Sequence, residues 1–545
     1  MDNNDYSDKP YDTFQERRVE ALLRAARCED NLYAEIAKMA LGWWDRVDND
    51  VIFETIESIN EQQARSVVDL AGLLGMMYRF SDEPEFPDVL RQPIEDSILG
   101  FRYWEDEPGS DVMCYTRESL SILFHTCEIL AAQLYPDSVF VNVEETGEWH
   151  RRKGERLALD WLYARGRRGF EEWDSDCSFE EDLVALSHLE EFAQDEEIRE
   201  LAAIMMDKIF FQIAVNSYKG TFGSTHGYTL TPSVKSGLLA VTSGISRLMW
   251  GMGIFNQHIR GTVSLACMEN YGFPRLIQAI ATDLPEEIWD REHHAPHNPN
   301  KGVNKVTYKT PDYMLCSAQD YRPGERGEGQ HIWQATMGPS AVVFVTHPPC
   351  MSEKNAHRTN FWCGNRVLPR VAQWKDVLIA IHDLPDDDWM GFTHAYFPIH
   401  AFDQHVLREG WAFAQKGEGY LALTASQGLD LTTTGNHAYQ ELRSYGEQNI
   451  WICHMGRAAL DGDFHAFQDK VLALDIKFEH LSVRCDTLRG ETLAFGWQGP
   501  FVRDGKEQPI SGFKHYENPY CVADLPTKAM DVRFGEWIMR LHFDK

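Results

Sequence analysis

Between residues 117 and 134 the side chains Leu120, Leu123, Phe124, Cys127, Leu130, Ala131 and Leu134 fall at three- and four-residue steps, which marks one apolar helix face. The same period occupies roughly 14 to 46, 62 to 80, 88 to 104, 152 to 165, 179 to 194, 196 to 215, 233 to 250 and 262 to 281. Short connections carrying Pro, Gly, Asp and Ser separate these stretches and predict antiparallel helix pairs. No repeat of fixed period accompanies them, so a consensus solenoid is not supported, whereas a ring of helix pairs is compatible.

After about residue 300 the period drops toward two. Runs at Tyr313 to Ala318, His331 to Thr336, Ala341 to Thr346, Asn360 to Cys363, Val377 to Ile381, Gly419 to Thr424, Ile450 to His454 and Phe478 to Arg484 predict an antiparallel sandwich, which Gly535 to Phe543 closes. Between the two patterns the chain turns to Pro, His, Asn and Lys and reads as a linker. The expected fold is α+β with two domains. A flexible N-terminus covers 1-14, an α/α toroid (an incomplete ring of helix pairs) 15-285, the linker 286-312 and an antiparallel β-sandwich 313-545.

Composition narrows the partners. The chain has 545 residues, 43% hydrophobic, enough for two cores. Lys plus Arg number 52 against 84 Asp plus Glu, a net charge of -32, and no basic block interrupts that acidity. Nucleic acid and anionic membrane surfaces are therefore not expected partners, although an acidic surface can surround a locally basic cleft. No apolar run reaches the roughly 18 residues of a membrane span, and the polar N-terminus lacks the regions of a secretory signal. The 11 cysteines are odd in number and form no C-x-x-C pair, which suits reduced thiols and a cytoplasmic location. Association into a homo-oligomer stays open. Walker, G-x-G-x-x-G and G-x-S-x-G elements are absent, so nucleotide-dependent and serine-hydrolase chemistry has no sequence support.

Candidate chemistry concentrates between Asn216 and Pro232, a Gly- and Thr-rich loop that holds Tyr218, Lys219, His226 and Tyr228. Such a loop buries little apolar surface, so its density of titratable groups points to a site. Within it, Gly220-Thr-Phe-Gly-Ser-Thr-His226-Gly-Tyr228-Thr resembles the Gly-Ser-Phe-x-x-His…Tyr element of polysaccharide lyases. These are the toroid-plus-sandwich lyases of the chondroitin AC/hyaluronate lyase and heparinase II/III-like groups. The tyrosine follows the histidine more closely here, and the asparagine precedes it more closely, than in those lyases. The resemblance implies removal of the C5 proton of a uronate and expulsion of the oxygen at C4, on an acidic poly- or oligosaccharide, with no cofactor required. It implies Asn216 as carboxylate neutraliser, His226 as base or neutraliser, and Tyr228 as proton donor or base.

A second cluster spans Gln319 to Ala335. The guanidiniums of Arg322 and Arg326 match carboxylates, and Trp333 offers a ring for a sugar, as does Tyr218, for which packing is the simpler role. His331 resembles by placement the sandwich histidine that reaches into the toroid cleft of heparinase II-like lyases. A rival chemistry lies in Glu171 to Asp182, where Trp173 is a sugar platform and Asp174, Glu180 or Glu181 are acid or base in a glycoside hydrolase, with Glu181 also a substrate contact. Ser178 and Glu181 equally read as a capping box. His293, His294 and His297, and His394, His400, Asp403 and His405, offer ligands for a structural divalent metal without a signature spacing. Lyase action is the first expectation; the alternatives are a glycoside hydrolase and a non-catalytic saccharide-binding protein.

Overall fold

A computed structural model describes residues 5-297, 302-354 and 359-544. The helices Leu32–Ala40, Ser66–Phe80, Glu118–Leu134, Asp176–Phe192 and Arg260–Ala266 form an inner layer in which most residues are buried, the behaviour of helices that are covered on all sides. Each packs on the next, and Arg260–Ala266 stands against both Asp176–Phe192 and Leu32–Ala40, which returns the ring toward its start. Outer helices bury one stripe: in Asn49–Asn60 it is Ile52, Ile56 and Ile59. The N-terminal half is thus an α/α toroid. The helix start expected at Ser178 lies three residues earlier: Ser175 is the N-cap and accepts from Ser178 N–H at 3.2 Å, and with Ser178 rather than a glutamate at the third helical position the capping box does not form.

The C-terminal half is an antiparallel β-sandwich in layers, with sheets of twelve, six and five strands. In the central strands of the six-stranded sheet both faces are buried. Along Val377–Asp383, Leu378 and Ala380 enter the core shared with the twelve-stranded sheet, whereas Val377, Ile379 and Ile381 enter a second core with the helix Phe464–Leu472 and the five-stranded sheet. That explains why the run is continuously apolar rather than alternating.

Two expectations are corrected. The stretch read as a linker, 286-312, forms the strands Ile288–His294 and Val303–Lys309, paired from Ile288↔Lys309 to His294↔Val303 inside the twelve-stranded sheet. Its polar residues Glu292, Lys305, Thr307 and Lys309 bond to the toroid instead of water, so a buried polar seam has the composition of a linker. Positions 298-301 lie outside the described residues. The N-terminus read as flexible over 1-14 is tied down from Asp5 onward, positions 1-4 being outside the described residues. Tyr6 Oη donates to Lys219 O at 2.6 Å, Ser7 pairs with Gly253, and Arg17 donates to Tyr11 O, Asp12 O, Leu248 O and Met249 O. Among the described residues no helix is long and apolar enough to cross a membrane.

Candidate active site

After the helix Glu196–Val215 the chain makes a small hairpin, Ser217–Tyr218 against Thr221–Phe222, and then follows the domain seam, bending at Gly227 and Tyr228. His226 N–H donates to His331 O at 3.0 Å, His331 N–H returns to His226 O at 2.8 Å, and Thr229 N–H donates to Gly329 O at 3.1 Å. Gly227 N–H donates to Trp173 O at 2.8 Å. Segments from both domains thus share one hydrogen-bonded ribbon, which leaves no room for extra side chains. A Cβ on Gly227 would lie 2.7 Å from Trp173 N, and one on Gly329 would lie 2.7 Å from Cδ2 of Tyr228. Gly329→Ala is expected to displace the Tyr228 ring from its place beside Arg117. Near-ultraviolet circular dichroism and the unfolding midpoint measured together check this, the aromatic signal changing and the midpoint moving little.

The His226 and His331 rings stack with centroids 5.7 Å apart. His226 Nδ1 bonds to the carbonyl of Asp174, which can only accept, so Nδ1 carries a proton and Nε2 is the nitrogen that holds the lone pair in the neutral ring. His331 is pushed down to about 3, by burial and then by His226, and stays neutral with Nε2 2.9 Å from Gln334 Oε1. Asp174 sits at φ 46, a conformation rarely held without anchors. Its carboxylate is anchored by Gln212 at 2.6 Å, Ser224 at 2.5 Å and Lys305 at 2.6 Å. Lys305 also meets Glu292 at 2.7 Å, and Glu292 meets Asn216 and His294 at 2.8 Å each. Burial acts to raise the Glu292 carboxyl, but Lys305 and then His294 outweigh it and hold the group well below the usual carboxylate range.

Tyr228 is half-buried and lines a cavity of about 690 Å³ together with Arg326, Arg366, Thr359 and the backbone of Gly327 and Gly329. Arg117 lies 4.6 Å from the centroid of the Tyr228 ring and is held by Ser178 at 3.1 Å and by Glu172 at 3.4 Å. Burial, with a smaller push from Cys177 and opposition from Arg117, moves the Tyr228 phenol up to about 12. Arg366 pairs with Asp388 at 3.1 Å, whereas Arg326 is exposed and makes no ion pair among the described residues. The first part of the Gln319 to Gln330 loop lines a second cavity, of about 580 Å³, with Trp173, Tyr321, His294, Glu171 and Arg322 on its wall.

No protein-family model matches the chain, and no curated protein matches it. Among solved structures it is similar to the heparan sulfate lyase HepC from Pedobacter heparinus, at 9% identity over 83% of this chain and 75% of that one, with a TM-score of 0.34. It is also similar to a Streptomyces coelicolor A3 chondroitin AC lyase, at 11% identity over 97% of this chain and 77% of that one, with a TM-score of 0.27. Similarity at this level says nothing about chemistry, which must come from the site.

Of the residues singled out in the sequence, His226, Tyr228 and His331 meet at the seam, with Arg326 on the adjoining cavity and Trp173 and Arg322 on the second one. Four others lie elsewhere. Asn216 is fully buried, its amide donating to Glu292 and to Gln212 O while Thr307 donates to its oxygen, so it cannot face a substrate. Tyr218 packs with Met314 and Cys316 and donates to Pro311 O. Glu181 is buried beside Arg65 at 2.8 Å and Ser119 at 2.6 Å. Trp333 points into the sandwich core and is wholly buried. The hydrolase carboxylates are also engaged internally, Asp174 as above and Glu180 by Gly261 N–H at 3.1 Å.

The candidate metal ligands are likewise bonded to protein groups: His293 to Val303 O, His294 to Glu292, His297 to Glu171, and His394 to Glu441 and Thr346. Asp403 pairs with Lys416 at 2.8 Å. Arg366, Arg117 and Lys305 escaped the sequence. Lys305, Thr307 and Lys309 alternate along one strand, which reads as a solvent face although all three are buried.

Proposed function

We propose that the chain is a carbohydrate-active enzyme that cleaves a uronate-containing poly- or oligosaccharide by β-elimination at the Tyr228 cavity. One observation carries this: a phenol held protonated lines a cavity with two guanidiniums, two positions along the chain from an imidazole whose Nδ1 donates to a backbone carbonyl, so that the neutral ring offers Nε2. Elimination needs the uronate carboxylate neutralised before its C5 proton becomes acidic, and Arg326 and Arg366 take the part first expected of Asn216. It then needs a base and an acid. His226 is the base and Tyr228 the acid, because a phenol near 12 gives a proton more readily than it takes one at neutral pH. Only Gly227 separates His226 at the seam from Tyr228 on the cavity wall, which supports assigning both roles on one sugar ring.

Uronate-containing oligosaccharides incubated with the protein are expected to yield an unsaturated product absorbing near ~235 nm, as the acid-base step requires. New reducing ends without that absorbance would favour a hydrolase, and binding without turnover a saccharide-binding protein; either would end the lyase assignment. Arg326→Ala is expected to raise KM about 10- to 100-fold, the worth of a charge-assisted hydrogen bond, with a smaller effect on kcat. Steady-state kinetics of the absorbing product measure both.

A further inference from the structure

A second polar cluster lies in the toroid, formed by residues that the lyase proposal does not use. Glu107, Glu128 and His150 are all buried and bring one ligand atom each to within 4.8 Å of the others. His150 Nδ1 is 2.8 Å from Glu128 Oε1 and 3.9 Å from Glu107 Oε1. Lys153 Nζ stands 2.8 Å from Glu107, 2.9 Å from Asp106 and 3.5 Å from Glu128. Tyr103 N–H and the Asn142 amide donate to Glu107 Oε2, each at 3.0 Å. Three carboxylates therefore converge on one ammonium. Two polar atoms there are also unsatisfied: Glu128 Oε2 and His150 Nε2 are buried with no hydrogen-bond partner among the described residues. A buried carboxylate oxygen without a partner is unfavourable. A dication would hold the converging carboxyl groups ionised and engage the open oxygen at once.

We propose that Glu107, Glu128 and His150, joined by Asp106 from the exposed rim, form a divalent-metal site. Two or three carboxylates with one imidazole suit Zn²⁺ or Mn²⁺ better than Ca²⁺, which takes six to eight oxygens. The ion would tie three pieces of chain together: the loop after Asp88–Gly100, the inner helix Glu118–Leu134 and the outer helix Gly147–Arg168. Its role is thus structural. Lys153 competes for the same oxygens and must turn toward solvent when the ion enters; Asp106, on the surface, marks the way in.

The full chain, stripped with a chelator and then dialysed against Zn²⁺ or Mn²⁺, tests this by metal analysis and thermal unfolding. One bound equivalent per chain and a raised unfolding midpoint are expected in the unaltered protein, with both lost in Glu128→Gln and in His150→Gln and binding tightened in Lys153→Met. Circular dichroism checks that each variant folds, and if Glu128→Gln does not, His150→Gln decides. Three results would overturn the site. These are no equivalent bound by the unaltered protein, binding retained in the folded ligand variants, and binding seen only in Lys153→Met, which would show that the lysine itself fills the cage.

Discussion

Tyr228→Phe is expected to lower turnover about 10²- to 10⁴-fold, the range for loss of one acid-base group, while leaving the fold intact. The substitution removes only the hydroxyl. The ring keeps its place beside Arg117 and against the bare backbone of Gly329, so packing is preserved. A half-buried phenol on a cavity wall also contributes little to the core. Turnover and unfolding midpoint should therefore part company, and a variant that retains full turnover would remove Tyr228 from the chemistry. The pH profile supplies a second check. With its phenol pushed up to about 12, Tyr228 remains a donor across the neutral and mildly alkaline range. No alkaline decline from this group is expected below roughly pH 11, because the donor form is lost only as pH approaches its pKa. A decline centred near the ordinary tyrosine value, present in the unaltered enzyme and absent from the residual rate of the variant, would contradict the environment described.

How far the sequence shows all this depends on which surface each residue faces. Periodicity finds the toroid because helices such as Asn49–Asn60 bury one stripe at steps of three and four. It finds strands such as Val342–Thr346 because they are short, apolar and bounded by turns. It fails at 286-312, where strands bury charge against another domain, since pattern rules equate polar with solvent. The same blindness hides the site's support. Lys305, Asp174 and Glu292 meet through folding alone, and no spacing announces them. His226 and Tyr228 stood out because titratable groups are dense in a Gly- and Thr-rich loop that has few apolar side chains. Asn216, in the same stretch, is the C-cap of the helix Glu196–Val215, so its amide turns back to Gln212 O and across to Glu292, away from the ribbon.

Lys305→Met is expected to destabilise the protein by about 3-5 kcal/mol, the usual effect of breaking a buried ion pair from one side. Lys305 is wholly buried between Asp174 at 2.6 Å and Glu292 at 2.7 Å, so its loss strands two carboxylates in the seam. Urea unfolding at neutral pH measures the difference, and a loss below about 1 kcal/mol would mean that the seam relaxes to admit water. The sign of the pH dependence follows from Glu292. Its folded pKa lies well below the ordinary 4.5, so in the unaltered protein it contributes stability that is present above pH 4.5 and lost as pH falls toward the folded value. Without Lys305 that depression is removed and the stranded carboxylates take up protons readily. The gap between variant and unaltered protein should therefore narrow on acidification, and a gap that widens would contradict the assignment. Adding Asp174→Asn and Glu292→Gln to Lys305→Met removes all three charges while nearly keeping their shapes. That triple variant is expected to recover most of the lost stability, because the penalty lies in unpaired charge rather than in packing. If it is as unstable as the single variant, the seam depends on the directed contacts of Lys305 themselves, and with them the anchoring of Asp174 that fixes the proton on His226 Nδ1.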